Sequence, residues 1–241
     1  EQACSIAADA YGQYTNNLGV CVVTTGPGGT NAMTGIAAAW LDSTPMIVIS
    51  GQVQKKDMTG GRGTRQIGFQ ELNMVDLVNP ITKYAEVVRY AEDIKYHLEK
   101  AVFLARNGRP GPVWLDIPLD IQAATVDENS LKGFFPNLYD TRNSNTFIKG
   151  NRLRNIISNI IDDLNKAERP VILAGNGIRL SGSIDKFKRL TEALKIPVLL
   201  TWKAIDFLEE THPLFVGRPG GVGQRGANFS QQNSDFLISI G

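Results

Sequence analysis

The sequence predicts an α/β protein made of two three-layer αβα domains with mostly parallel sheets. Three observations predict it. Apolar, β-branched runs, VCVVTT and TPMIVIS, flank a Gly-Pro turn and a helix-spaced segment. The same alternation returns in the second half, where PVILAG and IPVLLT flank another helical stretch. The runs are continuously apolar, as expected where crossover helices cover both faces of a parallel sheet. The composition agrees: 241 residues with 42% hydrophobic and 20% charged side chains suit one large or two modest globular domains.

Residues 1–15 carry helix-compatible apolar spacing through Ala3, Ile6, Ala7, Ala10 and Tyr14, and NNLG ends that helix. VCVVTT follows as a strand, GPGG turns the chain sharply, TNAMTGIAAAWLD forms the next helix and TPMIVIS the next strand. The stretch from Gln52 to Lys83 breaks simple periodicity with GGRGTR and QELNMVDLVNP, which reads as a functional loop with short helices. Residues 92–107 read as a helix ending before NGRPG, and PVWLDIP as the strand that leaves that turn. The first domain therefore spans 1–120, and the polar, Asn-rich stretch 121–148 reads as a linker. A second domain over 149–241 opens with the helix NRLRNIISNIIDDLNKA and continues through PVILAG, DKFKRLTEALK and IPVLLT to a last strand in SDFLISIG. The chain begins inside a helical pattern and stops after a strand, so both domains are expected to be truncated, the first lacking its start and the second its end.

Charge and cysteine content narrow the function. Lys and Arg total 25 against 24 Asp and Glu, so no bulk attraction to nucleic acid or to an acidic membrane is implied. The apolar stretches are too short for a membrane span. Two cysteines, Cys4 and Cys21, suit neither a disulfide scaffold nor a metal knuckle, and a reducing cytoplasm is the expected setting. His97 and His212 form no recognisable acid–base triad, and no metal ligand set is assigned.

Three glycine-rich segments are candidate ligand cradles. In TTGPGGTN, Gly26 and Gly28 permit close approach, and the amides opening the next helix suit an anion or a polar heterocycle; a purely structural turn is the alternative. Asn31 stands where a dinucleotide fingerprint needs its third glycine. AGNGIRLSG, with Gly175 and Gly177, and GRPGGVGQRG, with Gly221, Gly223 and Arg225, could wrap a nucleotide diphosphate or equally form solvated loops.

Taken in order, EQACSIAADAYGQY, TTGPGGTNAMTGIAAAWLDSTPMIVISGQV, IGFQELNMVDLVNPITK and GRPGPVWLDIPLDIQ closely resemble the N-terminal pyrimidine-binding domain of thiamine diphosphate enzymes, in particular acetolactate synthase-like ones. The rest of the chain resembles part of their middle domain. The resemblance implies that Glu1 is the activating glutamate and that Gln70 shares the catalytic site. It places Gly26, Pro27, Gly28 and Asn31 at the cofactor's pyrimidine side, and Phe69, with Gln70, in a segment that could contact substrate or cofactor; packing of Phe69 and loop solvation of Gln70 are the alternatives. By charge, Lys83, Arg62 and Arg65 could attract a keto-acid carboxylate or equally be nonspecific surface cations.

The implied parent enzyme uses thiamine diphosphate and Mg, with FAD an open addition in the middle domain. It decarboxylates a 2-keto acid such as pyruvate and transfers the acyl carbanion to an acceptor, as a homodimer or homotetramer. The Mg and diphosphate site would lie in a domain outside this chain. WKAIDFL, with Trp202 and Lys203, departs from the more glycine-rich synthase pattern, so a related 2-keto acid decarboxylase or specialised carboligase stays open. A noncatalytic binding or assembly module is the reading of a different class.

Overall fold

The computed structural model describes residues 1–138 and 148–241, and they form two compact units, 1–145 and 146–241. The first is built from α1 (Gln2–Thr15), β1 (Gly19–Thr24), α2 (Pro27–Asp42), β2 (Met46–Gln52), α3 (Met74–Val78), β3 (Ala85–Val87), α4 (Ile94–Arg106), β4 (Pro112–Pro118) and α5 (Leu119–Gln122). Its four strands lie in the order β1-β2-β4-β3, all parallel. One sheet face packs Val23, Met46, Val48 and Trp114 against Ala32, Ile36 and Ala39 of α2 and Met74 of α3. The other packs Ile47, Val113 and Leu115 against Ala101 and Leu104 of α4, which completes three layers.

Two details depart from the simple pattern. The buried residues of α1 are Ser5, Ala8, Asp9 and Gly12, whereas Ile6 and Tyr14 of the apolar spacing face outward at 47% and 90% exposure. Small side chains win this face because α1 lies tight on α2: a Cβ on Gly35 would overlap Ser5, and one on Gly12 would come within 2.6 Å of Thr44. At the sheet edge, β1 alternates buried and open positions, leaving Val20 and Val22 exposed.

The second unit contains α6 (Gly150–Lys166), β5 (Pro170–Ala174), α7 (Gly177–Leu180), α8 (Ile184–Leu194), β6 (Val198–Leu200), β7 (Phe215–Gly217), α9 (Arg225–Asn233) and β8 (Phe236–Ile240). Its parallel sheet runs β7-β6-β5-β8. Ile172, Ala174, Val198 and Leu200 meet Ile178 of α7 and Phe187 of α8 on one face, while Val171 and Leu199 meet Ala227 of α9 on the other.

The linker expected over 121–148 falls partly outside the described residues. Within it, Phe134 is buried against Tyr96 and Phe103 of α4, and its N–H donates to Glu99 at 2.7 Å. Among the described residues no helix is long and apolar enough to cross a membrane.

Candidate active site

All strands of the first sheet point the same way, so their C-terminal ends share one edge, where loops are free to gather a site. Thr24 pairs with Gly51 and Gln52 with Pro118 at that edge. The Thr25 N–H continues the ladder to the Gly51 carbonyl at 2.8 Å, and the chain then turns at Gly26 into α2 with Pro27 in its first turn. Gly26 has φ 58°, ψ −118°, a conformation that only glycine adopts without strain, and a Cβ there would overlap the Gln70 carbonyl oxygen. No side chain caps the opening of α2, so its first amides stay available to a polar ligand.

Glu1 stands over this turn. Its Oε1 lies 3.6 Å from where a Cβ on Gly28 would be, and its Oε2 accepts a hydrogen bond from Asn31 Nδ2 at 3.3 Å. Thr25 Oγ1 is buried without a hydrogen-bond partner. Gln70 approaches from the loop between β2 and α3 with φ 60°. Of the four non-glycine residues with left-handed φ among the described residues, Asn16, Ser43 and Lys195 end helices, and Gln70 alone does not. Glu1, Gly26, Pro27, Gly28, Asn31 and Gln70 are thus brought to one turn. Phe69, beside Gln70, is 81% exposed.

Lys83 lies elsewhere. Its N–H bonds Pro112, the first residue of β4, so it sits at the opposite edge of the sheet, about 20 Å away along a seven-residue strand. Its ammonium donates to the carbonyls of Leu104 and Asn107 at the end of α4, and burial pushes its pKa down. That geometry caps a helix. Arg62 and Arg65 are exposed on the Gly-rich loop.

A buried polar network beneath the turn went unread in the sequence. Asp116, wholly buried in β4, accepts from Ser50 Oγ at 2.5 Å and from Gln52 Nε2 at 2.8 Å, and Trp114 Nε1 donates to Ser50 at 2.8 Å. Burial raises the Asp116 pKa, and the Ser50 and Gln52 hydrogen bonds only partly offset it. Gln52 also donates to the Leu72 carbonyl at 2.8 Å and accepts from the Val53 N–H at 2.9 Å. Glu71, 5% exposed, accepts from the Thr59 N–H, from Thr59 Oγ1 at 2.9 Å and from the Ile67 N–H at 3.1 Å. Burial pushes its carboxyl up, but those donors outweigh it and hold the pKa below the usual glutamate value. The signal was present: Asp116 interrupts the apolar run PVWLDIP, and an acid is rarely buried without partners.

In the second unit, Gly175 and Gly177 leave no room for side chains because the Gly241 backbone occupies it, at 2.7 and 2.8 Å from their would-be Cβ atoms. Gly223 closes a turn onto Gly220 at 3.0 Å, whereas Gly221 faces open space and Arg225 is exposed. Trp202 follows β6 at 64% exposure. Each histidine meets a neighbouring side chain: His97 Nδ1 lies 2.6 Å from Tyr84 Oη, and His212 Nε2 lies 3.2 Å from Glu192. No group of three His, Cys, Asp or Glu among the described residues is arranged to hold a metal.

Comparison with known proteins gives a consistent family. Residues 1–77 match the thiamine pyrophosphate enzyme N-terminal TPP binding domain, and residues 157–241 match the thiamine pyrophosphate enzyme central domain. The whole chain is 36% identical over 242 residues to the acetolactate synthase large subunit of Lactococcus lactis, covering 40% of that protein. It is 38% identical over 241 residues to a probable acetolactate synthase large subunit of Methanocaldococcus jannaschii, covering 39%. Against acetolactate synthase isozyme 3 large subunit of Escherichia coli it is 36% identical over 244 residues, covering 40%. The chain thus spans about 40% of the length of these relatives. With the N-terminal domain match followed along the chain by the central-domain match, the chain belongs to the thiamine pyrophosphate enzymes and carries residues of their N-terminal binding and central domains.

Proposed function

We propose that the chain builds the pyrimidine side of a thiamine diphosphate site in an acetolactate synthase-like enzyme that decarboxylates a 2-keto acid such as pyruvate and transfers its acyl group to an acceptor. The observation that carries the reading is the Glu1 carboxylate beside Gly28, tied by Asn31 at the opening of α2. The residues fit an aminopyrimidine: Thr25 Oγ1 is buried without a partner, the first amides of α2 are uncapped, and Glu1 offers a carboxylate at the same turn. When bound, thiamine diphosphate supplies the carbon nucleophile and electron sink that such a decarboxylation requires.

The chain's own residues supply the rest. Glu1 holds or releases a proton at its carboxylate, and Asn31 fixes Oε2 so that Oε1 faces Gly28. Gly26 and Gly28 keep side chains out of the turn, and Pro27 fixes the backbone where α2 begins. Gln70 brings an amide and Phe69 an exposed ring to the same edge, as groups for substrate.

Mg belongs to the same proposal, held with the diphosphate by residues other than those of this chain, as does a homodimer or homotetramer in the cytoplasm. FAD has narrower support. The room at Gly175 and Gly177 is taken by Gly241, which leaves the separate Gly221–Arg225 loop, open at Gly221, as the remaining candidate. Trp202, exposed where the synthase pattern is glycine-rich, favours a related decarboxylase or carboligase as the second reading.

Product analysis separates the two. With pyruvate, thiamine diphosphate and Mg, the enzyme carrying this chain is expected to form a condensation product such as acetolactate. Release of the free aldehyde alone would favour the second reading, and no thiamine-dependent consumption of any keto acid would remove both.

A further inference from the structure

The loop between β2 and α3 is closed by two buried side chains at different heights. At its base, Gln52 uses its whole amide: Oε1 accepts from Val53, where the loop begins, and Nε2 donates both to Leu72, where the loop ends, and to Asp116. Higher up, the Glu71 carboxylate gathers Thr59 and Ile67, closing the Gly-rich stretch that holds Arg62 and Arg65. Gly60, Gly61 and Gly63, all at positive φ, let that stretch curl between the two gathered ends. Gln70 lies between Glu71 and Gly68, whose N–H bonds Asp57 at 2.8 Å. A left-handed φ on a glutamine persists only where its surroundings hold it. Here the holding groups are its neighbours in the chain, and what it presses against is Gly26.

We propose that Gln52 and Glu71 are positioning residues that set the Gln70 backbone against Gly26 and thereby shape the wall of the α2 turn. Each acts through the loop, by the hydrogen bonds that close it. The role as a cofactor wall rests on the reading of that turn as the thiamine site, whereas the mechanical coupling from Glu71 to Gly26 does not.

Backbone hydrogen exchange on the enzyme carrying this chain tests the coupling, comparing wild type with Glu71→Gln and Gln52→Leu. Thr59 and Ile67 amides are expected to exchange roughly tenfold faster in Glu71→Gln, the ratio for one charge-assisted hydrogen bond lost. The coupled reporter is Thr30, whose N–H bonds the Gly26 carbonyl at 2.9 Å; it is expected to speed up in both variants while Val113 and Leu115 of β4 stay unchanged. Loosening of the loop with Thr30 unmoved in both variants would overturn the proposal. If both buried substitutions unfold the chain, Thr59→Val, which removes only one donor to Glu71, decides by the same reporter.

In the active enzyme, Glu71→Gln is expected to raise the half-saturating thiamine diphosphate concentration roughly tenfold, and Glu71→Asp to recover part of it. Coupling at Thr30 without any thiamine dependence of activity would refute the functional reading and leave the positioning intact. An unchanged thiamine requirement in Glu71→Gln, in an otherwise thiamine-dependent enzyme, would refute the wall.

Discussion

A glycine at φ 58° with a carbonyl oxygen where its Cβ would go has no tolerated substitute, and Gly26 is in that position. Gly26→Ala is therefore expected to cost about 3 kcal/mol, from the unfavourable conformation and the overlap with Gln70 together, read as a fall in the urea midpoint at unchanged slope. Lys83 gives the opposite kind of expectation. Because its ammonium closes the end of α4, Lys83→Met should lower stability by about 1 kcal/mol without altering the pyruvate KM. A large KM change with stability intact would return Lys83 to the substrate. Residue identity alone could not separate these roles, since a lysine in ITK offers the same charge to a keto acid or to a helix end. The sheet register favours the helix end, because it puts Pro112 and Pro118 at opposite ends of the strand.

At the scale of elements, the strands and the turn into α2 were legible, and the loop from Val53 to Asn73 was not. Period-two and period-3.6 patterns report which faces are buried, so β2 and β4 could be read directly. A loop shaped by Gln52 and Glu71 has no period; its order is set by hydrogen bonds between residues far apart in sequence. The face of α1 was also misjudged, because close packing there selects small residues: its apolar spacing marks the outward side.

Two buried carboxylates, Glu71 within this loop and Asp116 in β4 beneath its base, respond oppositely to pH. Glu71 has a lowered pKa, so its stabilisation is present above about pH 4.3 and is lost as the pH falls through its lower folded value. Asp116 has a raised pKa, so its contribution is present below about pH 3.9 and is lost as the pH rises through its higher folded value. Melting curves across this range are expected to show Glu71→Gln flattening the acid loss and Asp116→Asn flattening the loss on the other side.

For the whole molecule, the repeated strand–helix order foretold two αβα units, and two four-stranded parallel sheets are what form. The candidate site needed more than periodicity. Glu1 is thirty residues from Asn31 and would read as an ordinary surface acid without the fold that puts them 3.3 Å apart. Gln70 reaches the same turn only because the loop after β2 returns to the sheet edge from which it left.

In the proposed reaction Glu1 is the proton-handling group at this turn. The most direct measurement is thiamine diphosphate-dependent pyruvate turnover by the enzyme carrying Glu1→Gln, beside its affinity for the cofactor. Turnover is expected to fall by about 10²–10⁴-fold, the usual range for losing a positioned acid–base group, with the cofactor still bound. Turnover within about twofold of wild type would contradict the account, because a group that handles the proton cannot be removed at so small a cost.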